Sequence, residues 1–305
     1  MVKAEVEITL DAVIVSVTGS TPRVLTTKSA DGLPALPSGL LKDNDRTIDE
    51  ALRRWVREQT SLELGYVEQL YTFGDRDRIV ETNDDSKRLL SIAYLALVQE
   101  EKPSEGAQWL DLYDLFPWED HRSALFSEKN STIQNLLQPF ITAGDPDEAY
   151  IRSERTKIMF SENGNLFDGA RSLERYELLY EALLLPESHR GHSHAFSPVD
   201  SLNAKSMHLD HRRIAATALG RIRGKLTYRP VVFELLPQQF TLLDLQSVVE
   251  ALLGQTLHKQ NFRRLVETAG LVMGTGQMAS TKGRPAELFE FRREVLRERP
   301  RPGVG

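Results

Sequence analysis

The stretch TLLDLQSVVEALLGQTLHKQNFRRLV, running from Thr241 to Val266, decides how the C-terminal part of the chain is read. Thr241 followed three residues later by Asp244 has the spacing of a capping box. Leu245, Val248, Val249 and Leu252 then repeat on one helical face, and Gly254 supplies the stop. After a short turn, Thr256 is placed to cap a second helix. In that helix Leu257, Phe262, Leu265 and Val266 are expected to point inward, leaving Lys259, Gln260, Asn261, Arg263 and Arg264 outside. Two amphipathic helices joined by a tight turn, the second with a basic and amide-rich outer face, follow the plan of a helix-turn-helix.

Downstream, Leu271–Gln277 and Ala286–Phe291 can pair as a hairpin around Met278-Ala-Ser-Thr-Lys-Gly-Arg-Pro285, a connection that is basic at its tip. A wing of this kind presents Lys282 and Arg284 to phosphate oxygens, and Arg284 also reaches towards a minor groove. Gln260, Asn261 and Arg263 carry the donors and acceptors that read base edges in the major groove. Thr256, His258, Lys259, Arg264 and Thr281 complete the expected DNA-facing set. A winged helix used only for protein contacts is the competing reading, because amphipathic helix pairs serve that purpose too.

The chain has 305 residues, 40% of them apolar and 27% charged, with no cysteine and a net charge of −6. That length allows about two domains with cores of their own. Without cysteine there are no disulfides, thiolate metal sites or cysteine nucleophiles. No apolar run is long enough to span a bilayer and the N-terminus lacks the pattern of a signal peptide, so a cytoplasmic protein without membrane contact is expected. The charge is unevenly spread. Residues 212–301 hold 16 Lys and Arg against 8 Asp and Glu, net +8, which leaves −14 for residues 1–211. An acidic front and a basic back suggest two tasks, the basic one facing a polyanion.

The front reads as α+β. Glu5–Val17, Arg23–Lys28 and Leu89–Val98 are strands, and between them Thr47, with Glu50 three residues on, opens a helix through Ile48, Ala51, Leu52, Trp55 and Val56. This domain is expected to end near residue 145. Residues 146–207 form a connection with one helix over Ala170–Leu185 and a polar linker over Pro186–Asn203. His189, His192 and His194 lie in that linker with no helix or strand to fix them, so no metal site is assigned. A helix beginning at about His208 and running through Arg223, with Ile214, Ala218, Leu219 and Ile222 on its apolar side, opens the third segment, 208–305.

Leu36-Pro-Ser-Gly39 followed by Glu50-Ala-Leu-Arg-Arg-Trp-Val-Arg-Glu-Gln-Thr-Ser-Leu62 resembles a degraded Nudix box. Tyr66–Arg76, His208–Arg213, Arg229–Pro237, His258–Arg264 and Gly283–Ala286 resemble segments of the Nudix-related transcriptional regulators of NAD metabolism, the NrtR family, most closely its NadQ branch. The resemblance spans nearly the whole chain. It implies a Nudix-like mixed α/β/α sandwich followed by a C-terminal winged helix-turn-helix. It also implies a homodimeric repressor of NAD biosynthesis genes on a palindromic operator, responding to NAD, ATP or ADP-ribose.

A working Nudix helix aligns three glutamates at i, i+3 and i+4 to hold Mg²⁺ against a pyrophosphate. Here those positions are Trp55, Glu58 and Gln59, and the upstream glutamate position falls on Asp45 or Arg46. One carboxylate of three remains, so neither catalytic residues nor a metal site are expected and no cofactor is required. The rival is an active hydrolase of ADP-ribose or a related nucleotide. Without metal, Arg53, Arg54, Arg76 and Arg88 are candidates for phosphate contacts, Tyr71 and Phe73 for stacking on a base, and Asp75 for the same pocket. Ordinary packing competes with these assignments: Tyr71 and Phe73 alternate as core residues of a strand do, and Arg53 and Arg54 also suit a helix surface.

Overall fold

The computed structural model describes residues 5–75, 87–160, 167–189, 202–226, 231–279 and 285–292. In chain order the front contains β1 (Glu5–Thr18), β2 (Thr21–Lys28), β3 (Pro34–Ala35), β4 (Ser38–Leu40), α1 (Ile48–Thr60), β5 (Tyr66–Phe73), β6 (Lys87–Leu97), β7 (Ala107–Asp111) and α2 (Leu112–Leu115). The seven strands form one mixed sheet of order β3-β2-β1-β6-β5, with β4 on β1 and β7 on β2. Its spine is the parallel pairing of β1 with β6, from Glu5 opposite Lys87 to Val15 opposite Leu97.

Both faces of that spine are covered, as its continuous apolar run requires. Leu10, Ala12 and Ile14 of β1 pack under Ala51, Leu52 and Val56 of α1, while Val13, Val15 and Val17 face a larger core on the other side. Thr47 caps α1 by accepting from the Glu50 backbone, and Ser61 ends the helix in the left-handed conformation. The expected α/β/α sandwich is present.

The second covering layer comes from further along the chain. α3 (Phe126–Thr142), α4 (Pro146–Met159) and α5 (Ser172–Glu181) are followed by α6 (His211–Leu226). α6 buries Ile214, Ala215, Ala218, Leu219 and Ile222 against α5, β1 and β5. A helix read from the sequence as the opening of the C-terminal segment therefore serves as the far wall of the front sandwich and also touches the helix that follows. The segment read as a linker from Pro186 starts instead with a buried 3-10 turn, Pro186–His189, because Glu187 accepts from Tyr176 and pairs with Arg212 at 2.6 Å. His189 contacts the Leu183 carbonyl, whereas His192 and His194 lie outside the described residues.

The C-terminal unit comprises β8 (Gln239–Thr241), α7 (Leu242–Leu253), α8 (Lys259–Thr268), β9 (Val272–Ala279) and β10 (Ala286–Phe291), with β8, β10 and β9 as an antiparallel three-stranded sheet. It is fastened to the front by a buried polar lock. The Arg223 guanidinium, on α6, pairs with Glu119 and donates to the Leu252 carbonyl at 2.9 Å. Arg175, on α5, holds the other side of Glu119 at 2.6 and 2.8 Å. Tyr113 donates its hydroxyl hydrogen to the Ala251 carbonyl, and the His121 backbone N–H donates to the Gly254 carbonyl. These donors satisfy carbonyls that every helix C-terminus leaves open, and Arg223 adds a cation at the negative end of the α7 dipole.

Burial alone would push the Glu119 carboxyl up, but the two guanidiniums reverse this and bring it down to about 2. Gly254, at φ +67°, leaves no room for a Cβ, which would strike the Glu119 carbonyl. Glu119→Gln strands two buried guanidiniums and should lower the unfolding free energy by roughly 3–5 kcal/mol in urea titrations. The Glu119 contribution to stability is full above the unfolded carboxyl pKa of 4.5 and fades as pH falls towards 2. The variant should therefore show a shallower loss of stability with acid than the parent protein.

Candidate nucleic-acid interface

The geometry of the helix-turn-helix follows from its caps. Thr241 and Asp244 close a complete capping box at the start of α7, and Gly254 ends the helix in the left-handed conformation. Leu245, Val248 and Leu252 are buried as expected. Gln246 and Glu250 then brace the turn: Gln246 donates to the Leu257 carbonyl at 3.0 Å, and Glu250 accepts from the Leu257 N–H at 2.8 Å.

α8 begins later than the sequence suggests. Its N-cap is His258 and no side chain caps it, so Thr256 is an exposed turn residue and not the cap. Phe262 and Val266 are buried, whereas Leu265, expected inside, is 69% exposed. Within α8 only Phe262 and Val266 are buried, so the inward face is narrower than the sequence suggests. His258, Lys259, Gln260, Asn261, Arg263 and Arg264 are all exposed, on one helix and its cap, as a DNA-facing set requires. β9 and β10 form the expected hairpin, pairing Ala279 with Ala286 and Val272 with Phe291. Thr281, Lys282 and Arg284, at the tip, lie outside the described residues.

In the front domain the residues expected at the three Nudix-box positions, Trp55, Glu58 and Gln59, make other contacts. The Trp55 indole lies against Gly39, where a Cβ would collide with the ring, and donates to the Leu40 carbonyl at 2.9 Å. Gln59 bonds both backbone groups of Ser38, at 3.0 and 2.6 Å, tying α1 to β4. Glu58 is exposed and stands 3.8 Å from Arg54, whose guanidinium pairs with Asp45 at 2.8 Å. The Arg54 guanidinium thus stands beside two carboxylates, Asp45 and Glu58.

The expected effector residues divide into two groups. Arg53 and Arg54 belong to α1: Arg53 pairs with Asp49 at 2.8 Å and donates to the Leu64 carbonyl, so it braces the end of its own helix. The remaining ones gather at the β5–β6 end of the sheet. Phe73 is buried in the core on the opposite face, and Tyr71, 64% exposed, meets it edge to face at 5.4 Å. A bulge between Gln69 and Tyr71 puts Leu70 out of register, but beyond it Tyr71 and Phe73 pair regularly with Ala93 and Ser91 and share one face of the sheet, so they differ in how deeply they are covered and not in which face they occupy. Arg88 is exposed and donates to the Gly74 carbonyl at 2.8 Å, and Asp75 lies 3.7 Å from Arg213. Arg76 is outside the described residues. Tyr71, Asp75 and Arg88 thus form one exposed neighbourhood. Phe73 supports it from below.

Residues 232–291 match the family model of the NrtR DNA-binding winged helix domain. The C-terminal domain is a winged helix similar to the NrtR DNA-binding domain. An ADPR-responsive transcriptional repressor, NtrR, from Acinetobacter baylyi is 37% identical over 82 residues, 27% of this chain and 33% of that protein. The chain thus aligns with about a third of that relative's length. The structure of Shewanella oneidensis NrtR bound to a 27-mer DNA has the same fold, with a TM-score of 0.58, 21% identity and 95% of each chain covered. A MutT/nudix family protein from Enterococcus faecalis superposes with a TM-score of 0.52 at 14% identity, over 94% of this chain and 87% of that one. The chain accordingly has a Nudix-like fold with a C-terminal winged helix that resembles the NrtR domain.

In the Nudix-like half the packing of Trp55 on Gly39 is directly testable. Gly39→Ala forces a methyl into the indole ring and should cost about 1–3 kcal/mol in thermal unfolding. Adding Trp55→Ala should recover most of that cost, a non-additivity that independent sites do not show.

Proposed function

We propose that this chain is a transcriptional repressor of NAD biosynthesis genes that senses an adenine nucleotide through a Nudix-like domain without hydrolase activity. The observation that carries the reading is the exposed His258–Arg264 face of α8, within a domain of NrtR type. Lys259, Arg263 and Arg264 supply phosphate contacts, while Gln260 and Asn261 match base edges. Lys282 and Arg284, expected from the sequence at the tip of the wing, would add further phosphate contacts. Two such heads on a homodimer would grip a palindromic operator with half-sites about one helical turn, or a multiple, apart.

The effector belongs to the same proposal. The Acinetobacter relative responds to ADP-ribose by its name, and we assign ADP-ribose, ahead of NAD or ATP, as the ligand. Its diphosphate would be held by arginines in place of metal, and Arg88 is the exposed guanidinium of the Tyr71–Asp75 neighbourhood. Trp55, Gln59 and the Arg54–Asp45 pair favour binding over hydrolysis, because the residues at the carboxylate positions are engaged with backbone and guanidinium groups.

Full-length protein should retard promoter fragments of genes for de novo NAD synthesis, the target of the narrower NadQ-type assignment, and not random duplex, at physiological salt. Arg263→Ala with Arg264→Ala should weaken binding and reduce the slope of log affinity against log salt by about 2, one for each phosphate that is no longer neutralised. Equal affinity for random and promoter DNA overturns the proposal. A second assay bears on the enzyme reading: incubation of ADP-ribose with protein and Mg²⁺ should release no AMP, and release abolished by Glu58→Gln would instead establish a hydrolase.

A further inference from the structure

The outer surface of α8 carries one group that neither phosphate nor amide chemistry accounts for. Leu265 is 69% exposed and packs into no core, although its neighbours Phe262 and Val266 are buried. It lies one turn after Asn261 and almost one turn before Thr268, so His258, Asn261, Leu265 and Thr268 make a single stripe along the helix. Along this stripe runs a shallow depression of about 570 Å³, mostly apolar, to which Leu257, Phe262 and Leu265 contribute apolar surface and Arg264 a cation.

Resting on the DNA-binding reading above, we propose that Leu265 is a specificity-determining residue that reads thymine by packing its methyl groups on the 5-methyl of the base. Among the base-edge groups in the major groove that methyl is the one projecting apolar group, and aliphatic side chains are its natural contacts. Asn261 matches adenine through its N6 and N7. Four residues separate Asn261 from Leu265, about 6 Å along the helix axis, against a rise of about 3.4 Å per base pair. The stripe therefore calls for a thymine within about two base pairs of the adenine that Asn261 contacts. Charge selects DNA over another protein as the occupant. Arg264 lines the depression itself, and over the exposed surface of α8 three cations, Lys259, Arg263 and Arg264, stand against the single Glu267, a surface suited to a polyanion.

The test uses full-length protein. Duplexes selected from a random pool are resynthesised with each enriched thymine replaced in turn by deoxyuridine, which removes the methyl and keeps the pairing. Affinities are then measured by fluorescence anisotropy at fixed salt. One thymine per half-site should show about a fourfold weakening for the parent protein, the effect of one buried methyl. Leu265→Ala, a change at an exposed position that the fold tolerates, should bind the thymine duplex correspondingly more weakly and no longer distinguish thymine from uracil there. Equal discrimination by parent and variant overturns the inference and leaves the DNA-binding reading intact. So does a variant that changes oligomeric state without changing discrimination, which would assign the stripe to a second copy of the chain. Failure of the pool to yield any preferred sequence overturns the DNA-binding reading itself, and the inference with it.

Discussion

The structure depends on a charge exchange along α6. Arg212, Arg213, Arg221, Arg223 and Lys225 project from this one helix into Glu187, Glu177, Glu68 and Glu119, drawing four acidic groups that precede it in the chain onto five bases. Buried ion pairs of this kind add little net stability over an apolar replacement, but breaking one leaves an uncompensated charge. Their effect is to fix how α6 sits. It is held at its N-terminus by His211, whose Nδ1 accepts from the Leu36 N–H while Nε2 faces Asp11 at 3.7 Å. At its C-terminal end Arg223 grips the last turn of α7.

That arrangement gives α8 a defined relation to the sheet. The C-terminus of α7 and the turn before α8 receive hydrogen bonds from Tyr113, His121 and Arg223, all of them front-domain or α6 residues. The His121 ring is sandwiched between Phe126 and Phe167, each 3.7 Å away between centroids, and burial lowers its pKa to about 4, so it stays neutral at this junction. A displacement of α6 against the sheet must therefore be felt at α8. Ligand binding in the front domain can bias DNA binding only by what it gains in one arrangement over the other, and a junction this specific supplies discrete alternatives for such a bias.

Much of this was legible in the sequence where local chemistry decides the outcome. The Thr241–Asp244 capping box, the Gly254 stop, the Thr47 cap and the alternation of β1 each depend on residues close together in the chain, and each is present. Where the outcome depends on distant partners, sequence reading fell short. Leu265 has the spacing of a core residue, but only Phe262 and Val266 of α8 meet the core and Leu265 is left outside. Thr256 is a good cap by type, yet the helix starts beyond it. Phe73 and Tyr71 share one face of β5, as their alternation suggests, but distant packing covers only Phe73. The segment from Pro186 looks like linker by composition, and only the burial of Glu187 against Arg212 reveals otherwise. The charge asymmetry is the clearest case. Part of the basic excess after residue 211 faces acidic groups of the preceding chain instead of solvent, so net charge overstated the cationic surface left for DNA.

The front domain poses the same contrast. Its box positions were readable as depleted of carboxylates, but the sequence does not reveal that Trp55 would lie on Gly39 or that Arg54 would stand between Asp45 and Glu58. Those contacts make a nucleotide response without metal the central claim about this protein. The most direct measurement is the affinity of the selected operator duplex for full-length protein as ADP-ribose is titrated in the presence of EDTA. A change of at least about tenfold, a coupling of roughly 1.4 kcal/mol, saturating with ADP-ribose and unaffected by chelation, is the predicted result; an affinity that stays constant, or that moves only when Mg²⁺ is restored, contradicts it.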